Sequence, residues 1–280
     1  MTLAHAEAAS EAGSAELLEL AIRAARMAGD LLLRGLTEGP LSVQTKSAPT
    51  DLVTDLDRRS EALIVELLTD RRPDDGVLGE EGGERPGTSG VRWVIDPLDG
   101  TGNYVSGNPG FVVSIAAEVD GAATVGVVHD PSRQETFSAV RGRGARRDGR
   151  TLAPDRAATL QQALVSTGFS SDLDLRSRQA DLATRVVGRV RDLRNSGSAA
   201  LDLCWVAAGR LDAYYEAGLY RWDHAAGALI AAEAGAWVGG LDDGPADIGT
   251  AAGRDDGGTI VACPPALAAE LRELLTEGGA

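Results

Sequence analysis

Asp96 and Asp99 stand three positions apart in Trp93-Val94-Ile95-Asp96-Pro97-Leu98-Asp99-Gly100-Thr101-Gly102-Asn103, with a glycine and a hydroxyl directly after them. Two carboxylates, a bare backbone amide and a hydroxyl at the end of an apolar run are the ingredients of a site for a hard cation and a phosphate. An Asp-Pro turn closed by an Asx cap uses the same residues, so this segment alone supports either reading. Three more acidic segments fall where the chain turns: Asp57, Glu80-Glu81 and Asp223. Each has a local explanation as well. Aspartates at the start of a helix suit its positive end, and paired glutamates in a loop are ordinarily solvated. None of the four segments belongs to a charge run, however, and carboxylates beside apolar elements are costly to bury unless paired or bound to a cation. Oxygen ligands without a cluster of histidines or cysteines select Mg²⁺, Mn²⁺ or Ca²⁺ rather than zinc. His129 and His224 lack a partner at ligand spacing and read as structural or supporting residues. Gly100-Thr101 and Gly197-Ser198 each precede an expected helix, where free amides and the helix dipole can hold phosphate oxygens. Ordinary helix caps have the same composition. Cations and amides together point to metal-assisted phosphoester hydrolysis.

The elements that position these residues are legible from periodicity. Residues 1–14 are Ala-, Glu- and Ser-rich and are expected to fray. Leu17, Leu18, Ile22, Met27, Leu31 and Leu32 recur at helical spacing from Ala15 to Leu36, and Gly35 with Gly39-Pro40 ends that helix. A second amphipathic helix runs to about Thr69 behind Asp51, Asp55 and Asp57. Gly76 to Gly79 is a short strand ending at the paired glutamates, and Gly82 to Gly90 reads as a mobile loop. Val91 to Ile95 is a buried strand stopped by Asp96-Pro97, since proline cannot donate to a ladder. Phe111–Val119 and Ala122–Val128 form a hairpin about Asp120-Gly121, and Gln134–Val140 and Arg143–Arg147 continue the meander to a turn at Asp148-Gly149. Beyond Leu152 strands alternate with helices: strands at 163–166, 191–194, 213–216 and 260–262, helices at 177–190, 199–208, 225–233 and 264–275. The expected organisation is an N-terminal α+β subdomain over residues 1–150, with two helices, an antiparallel sheet and most of the acids. An α/β subdomain over 151–280 carries Asp223.

Composition limits the partners. The 280 residues are 43% hydrophobic but only 4% aromatic, so the core is aliphatic and Ala-rich. A net charge of −15 argues against a general binder of nucleic acid or anionic membrane. It would also repel a phosphate substrate unless divalent cations intervened. Cys204 and Cys263 are too far apart for a soft-metal motif and suit a reducing cytoplasm. No signal-peptide pattern and no apolar run of membrane-spanning length is present.

Asp96-Pro97-Leu98-Asp99-Gly100-Thr101 resembles the signature of the inositol monophosphatase family. Trp222-Asp223-His224-Ala225-Ala226-Gly227-Ala228, continuing to Glu233-Ala234-Gly235-Ala236, resembles the family's second signature. Gly79-Glu80-Glu81 and Asp51-Leu52-Val53-Thr54 through Asp57 match as well, and the likeness extends from about Leu17 to the C-terminus. The resemblance implies a layered αβαβα sandwich of the inositol monophosphatase/fructose-1,6-bisphosphatase type. It also implies Mg²⁺-dependent, Li⁺-sensitive phosphomonoester hydrolysis, with Mn²⁺ a possible substitute, in a cytoplasmic homodimer. By position, Glu80, Asp96 and the Leu98 carbonyl would hold one ion, and Asp96, Asp99 and Asp223 a second. Asp57 with Glu80 would support a third through water. Thr101 with Glu80 would orient and deprotonate the attacking water, and the Gly100 and Thr101 amides would hold the phosphate. Gly197, Ser198, Ala199 and Glu216, bordered by Asp99 and Asp223, would meet the alcohol part of the substrate. Lys46 matches a lysine near the mobile metal loop, and Gly102 departs from the family, where many members carry Thr, Val or Lys.

A carboxylate at Glu216 accepts hydrogen bonds from several hydroxyls and repels a second phosphate, which favours a small phosphorylated polyol and an inositol-1-monophosphatase activity. The sibling readings are histidinol phosphatase, fructose-1,6-bisphosphatase and 3′-phosphoadenosine nucleotide phosphatase. A regulatory binding protein that kept the fold without the catalysis is a reading from another class, and the complete acid set argues against it.

Overall fold

The computed structural model describes residues 3–38, 42–46, 52–153, 157, 159–241 and 258–277, with the backbone alone for 3–12. Gly39-Pro40 and residues 47–51, Asp51 among them, lie outside the described residues. In chain order come α1 (Leu3–Gly35), β1 (Val43–Thr45), β2 (Leu52–Thr54), α2 (Asp55–Arg71), β3 (Gly76–Gly79), β4 (Gly83–Arg85), β5 (Val91–Asp99) and α3 (Thr101–Val105). The meander β6 (Val112–Val119), β7 (Ala122–Asp130), β8 (Glu135–Val140), β9 (Ala145–Arg147) and β10 (Arg150–Thr151) follows. The remainder is β11 (Leu164–Thr167), α4 (Leu173–Val187), β12 (Asp192–Arg194), α5 (Ala199–Ala207), β13 (Ala213–Ala217), α6 (Arg221–Glu233), β14 (Trp237–Gly239), β15 (Thr259–Cys263) and α7 (Ala268–Thr276).

These elements stack in five layers, αβαβα, as the family resemblance implies. Helices α1 and α2 cover one face of an eight-stranded sheet ordered β10-β9-β8-β7-β6-β5-β3-β4. Helices α5 and α6 fill the space between that sheet and a five-stranded one ordered β12-β11-β13-β15-β14, and α4 and α7 close the far side. Strand alternation explains the layering. On β5, Trp93 and Ile95 point to α1 and α2 while Val94 points to α5 and α6. On β13, Tyr214 faces α5 and α6, and Ala213 and Tyr215 face α7. The middle helices are apolar on both sides because both sides meet a sheet.

Several sequence expectations need correction. The N-terminal segment is helical from Leu3, in keeping with the high helix propensity of Ala and Glu. The buried stripe of α1 is Leu17, Ala21, Ala24, Ala25, Ala28 and Leu32, whereas Met27 is 37% exposed. Alanines let the helix lie close to the sheet. The Gly82–Gly90 stretch contributes an edge strand, β4, paired antiparallel with β3. The large sheet is mixed, because β3 runs parallel to β5. β5 continues through Pro97 to Asp99, where a register irregularity spares the proline any need to donate. Trp222-Asp223-His224 lies inside the first turn of α6 rather than ahead of it. Asp120-Gly121 and Asp148-Gly149 are tight hairpin turns as expected, with φ of 51° and 81°, and 50° and 77°. Among the described residues no helix is long and apolar enough to cross a membrane.

The approach of α6 to the large sheet depends on Gly126 in β7. A Cβ there would stand 2.8 Å from the Ala226 carbonyl oxygen and 3.1 Å from its Cα. Backbone cannot swing away as a side chain can, so Gly126→Ala is expected to cost about 1–3 kcal/mol of stability through forced separation of helix and sheet. Thermal or urea unfolding measures this, and an unchanged midpoint would mean that the contact yields freely.

Candidate active site

The site begins with a sheet register. Parallel pairing matches Gly79 with Ile95, so the next residue on each strand, Glu80 and Asp96, emerge side by side at the same sheet end. The Glu80 amide still donates to Ile95 O at 3.2 Å, which holds the two ends together. Behind Glu80, the Glu61 carboxylate of α2 accepts the Glu81 amide at 2.9 Å. Gly79 and Gly82 are glycines because a Cβ at either would collide with that carboxyl, at 2.5 and 2.6 Å. In front, Lys46 pairs with Glu80 at 2.8 Å and also with Glu81.

Asp96 accepts the Leu98 amide at 3.0 Å in an Asx turn. Gly100 then adopts φ 92°, and a Cβ would meet Gly110 O at 2.7 Å, so the turn into α3 requires glycine twice over. Thr101 follows. Its hydroxyl lies 3.1 Å from Asp57 Oδ1 and 3.0 Å from Leu98 O. Asp57 sits in the first turn of α2 as the acidic half of a capping box, its Oδ2 accepting from the Thr54 amide at 2.9 Å and the Thr54 hydroxyl at 2.6 Å. The Thr101 hydroxyl thus lies between Asp57 and the Leu98 carbonyl, a placement the motif by itself did not reveal.

Asp99 reaches across to the start of α5, where its Oδ2 accepts from Ser198 Oγ at 2.7 Å and the Ala200 amide at 2.8 Å. Ser198 is the N-cap of that helix. Asp223, in the first turn of α6, accepts the Tyr220 amide at 2.6 Å. Gly197, Ser198 and Ala199 join Asp99, Glu216 and Asp223 around a cavity of about 220 Å³. Thr167, Gly168, Phe169, Asn195, Asp202 and Leu219 complete its wall, and sequence reading did not anticipate these. Asp202 did leave a signal, as the only acid in the apolar helix 199–208. Gly102 is exposed with open space about it, so it shapes none of these contacts.

The electrostatics are those of like charges held out of water. Burial raises the pKa of Asp96, and neighbouring Glu80, Asp99 and Asp223 raise it further. Burial brings Asp99 to about 7 against the opposing bonds from Ser198 and Ala200. Asp223 is raised by burial and then by Asp99, and Glu80 by burial despite Lys46. Burial carries Glu216 to about 8, although Tyr214 OH donates to it at 2.7 Å, and Asp202 to about 6. His224 is pushed down to about 3 by burial, which makes it a neutral core residue. Among the described residues, no group of three or more His, Cys, Asp or Glu side chains is set to hold an ion as the side chains stand. Each acid rests instead on a protein donor. The donor set nonetheless fits a hard divalent cation: neighbouring carboxylate oxygens, no soft ligand, and repulsion that a cation would relieve.

The inositol monophosphatase family matches residues 14–276. An inositol-1-monophosphatase named SuhB from Mycobacterium tuberculosis is 45% identical over 243 residues, covering 84% of this chain and 81% of its own. A protein named Nus factor SuhB from Pasteurella multocida is 40% identical over 257 residues, covering 91% and 94%. The crystal structure of the extragenic suppressor protein suhB of Bartonella henselae superposes with a TM-score of 0.86 at 35% identity, covering 94% of this chain and 99% of that one.

The raised acids make a stability prediction. Unfolded carboxylates titrate near pH 4, roughly, whereas Asp202, Asp99 and Glu216 do so at about 6, 7 and 8 in the fold. The folded state binds more protons across that window, so stability falls as pH rises through it. In chelator, the melting temperature should decline from about pH 5 to about pH 8. Asp223→Asn, which removes one of the repelling charges, should raise it by about 2–4 °C at the upper end. A melting temperature that climbs over this range would show that the acids are not in conflict.

Proposed function

The chain belongs to the inositol monophosphatase family, and we propose that it is a phosphomonoester hydrolase that works with Mg²⁺ on a small phosphorylated polyol, inositol 1-phosphate being the leading substrate. The observation that carries this reading is the neighbourhood of Glu80, Asp96, Asp99 and Asp223, where the charges of the other three raise the pKa of buried Asp96, beside the Thr101–Asp57 hydrogen bond. Glu80, Asp96 and Asp99 with the Leu98 carbonyl and Asp223 would hold the cations, and Asp57 would lie at their edge. Bound Mg²⁺ would neutralise the phosphate and make an attacking water more acidic. Thr101 has one proton to donate, and with Asp57 and the Leu98 carbonyl both placed to take it the hydroxyl oxygen is free to accept from that water. The amides of Gly100 and Thr101 face the phosphate in this reading. Residues 1–150 thus supply most of the chemistry and residues 151–280 the pocket for the alcohol.

The pocket favours a polyol. Its described lining contains Asp99, Asp202, Glu216 and Asp223 and no lysine or arginine, which disfavours a substrate with a second phosphate. At neutral pH Glu216, titrating at about 8, can both donate to and accept from ring hydroxyls. The same acidic wall would accept an amine, so histidinol phosphate is the second substrate to test. The relatives named Nus factor SuhB suggest that such a role can accompany this fold, and the intact acid set speaks for catalysis in this chain. Cys204 and Cys263 form no disulfide, in keeping with a cytoplasmic enzyme.

Phosphate release from inositol 1-phosphate, histidinol phosphate, fructose 1,6-bisphosphate and a 3′-phosphoadenosine nucleotide, with and without Mg²⁺, is the direct test. Metal-independent release, or preference for a bisphosphate, would sink the reading. Asp96→Asn is expected to lower turnover by several orders of magnitude, because the charge stabilisation it anchors is worth several kcal/mol. Thr101→Ala should lower kcat and kcat/KM together by about a hundredfold, since its hydroxyl acts mainly in the transition state. Glu216→Ala should instead raise KM for inositol 1-phosphate roughly tenfold, with p-nitrophenyl phosphate hydrolysis nearly unchanged. Equal damage to both substrates would make Glu216 a structural residue.

A further inference from the structure

Asn103 stands in α3, outside the cavity lining and outside every role assigned above. Its Nδ2 donates to Gly110 O and to Ser196 O, both at 2.7 Å. Both partners are carbonyls, which accept only, so the nitrogen of the amide must be the atom between them. One NH₂ group thereby ties α3 to the start of β6 and to a turn 93 residues away in sequence. The three backbones close tightly around it. A Cβ at Gly197 would stand 2.9 Å from Asn103 Nδ2, one at Gly110 3.3 Å from it, and one at Gly100 3.2 Å from Gly197 O.

The turn has its own internal bonds: Gly197 N donates to Asn195 Oδ1 at 2.8 Å and Ser196 Oγ to Ser198 O at 3.2 Å. Those bonds give the turn its shape but not its location. Asp202 ties Ser196 to α5, and two bridges locate the turn against the Asp96–Asn103 segment, the one from Asp99 to Ser198 and Ala200 and the one from Asn103 to Ser196. Asp99 is a proposed cation ligand, so its carboxylate answers to two demands, whereas Asn103 has the turn as its own. We infer that Asn103 is a positioning residue that sets the distance between the Asp96–Thr101 loop and the Gly197–Ala199 turn, and so the fit of the substrate's alcohol part against its phosphate. This inference rests on the phosphatase reading above.

The test uses Asn103→Ala and Asn103→Asp in the full chain. Alanine removes both donors. Aspartate keeps the shape but turns an acceptor toward two carbonyls, so it should be the more damaging. KM for inositol 1-phosphate should rise about tenfold in Asn103→Ala, in line with the loss of two hydrogen bonds. Hydrolysis of p-nitrophenyl phosphate, which has no ring hydroxyls to align, should stay within about threefold, as should the Mg²⁺ concentration for half-activation. Amide hydrogen exchange at residues 195–198 should quicken by roughly tenfold or more in both variants. Equal losses on the two esters would overturn the inference, because the residue would then be supporting Thr101. Unchanged exchange at 195–198 in a folded variant would overturn it as well. If the unaltered protein hydrolyses neither ester, the phosphatase reading falls, and the exchange measurement by itself still decides whether Asn103 holds the turn.

Discussion

Buried carboxylates crowd together at this site, and much of the structure serves to keep them there. Asp99 and Asp223 both raise the pKa of Asp96, and each of the three is held from behind by a backbone donor: the amides of Leu98, Ala200 and Tyr220. Asp57, Asp202 and Asp223 lie in the first turns of α2, α5 and α6, where the partial positive charge of a helix start favours an anion. The site is thus the place where the ends of two parallel strands meet the starts of three helices. Such an arrangement gives up folding stability to keep like charges together, as functional sites commonly do.

Close approach of backbones makes this meeting possible. The middle layer has a sheet on either side, and α6 is sandwiched between Val94, Val112, Val128 and Phe137 on one face and Val238, Ile260 and Ala262 on the other. With both faces packed, the helix can neither roll nor slide, and this packing together with the bond from the Tyr220 amide fixes the direction of Asp223. Gly126 against Ala226 shows how little room separates sheet and helix, and Gly227 against Leu203, with a would-be Cβ distance of 2.8 Å, how closely α5 and α6 lie within their layer. Alanine and glycine therefore do in this fold what large aromatics do in others: they set the interlayer distance, and the low aromatic content is its counterpart.

Much of the fold and most of the acids were legible in the sequence, because their signals are local. Strand alternation in Val112–Val119, the Asp-Gly turns, the apolar helix from Ala199 and the strand that delivers Asp96 depend on neighbours a few residues away. The motifs around Asp96, Glu80 and Asp223, with their family resemblance, pointed to one site. Asp96-Pro97 reads as the end of β5 because a regular ladder has no place for proline, yet the register irregularity removes that demand. The parallel pairing of β3 with β5 left no local mark, since a parallel partner is chosen by the layers on both faces.

By itself, then, the sequence determined which residue types are available, which elements carry them, and that hard-cation phosphate chemistry is within their reach. Only the tertiary structure decided which of them meet. It joined Thr101 to Asp57, set Lys46 against Glu80, brought Asp202 into the pocket wall and tied Asn103 to Ser196. These contacts link residues tens of positions apart, and a hydrogen bond is decided within a few tenths of an ångström. Spacing along a chain carries no information at that scale, because the layers that fix such distances exist only once both sheets have packed on the helices between them.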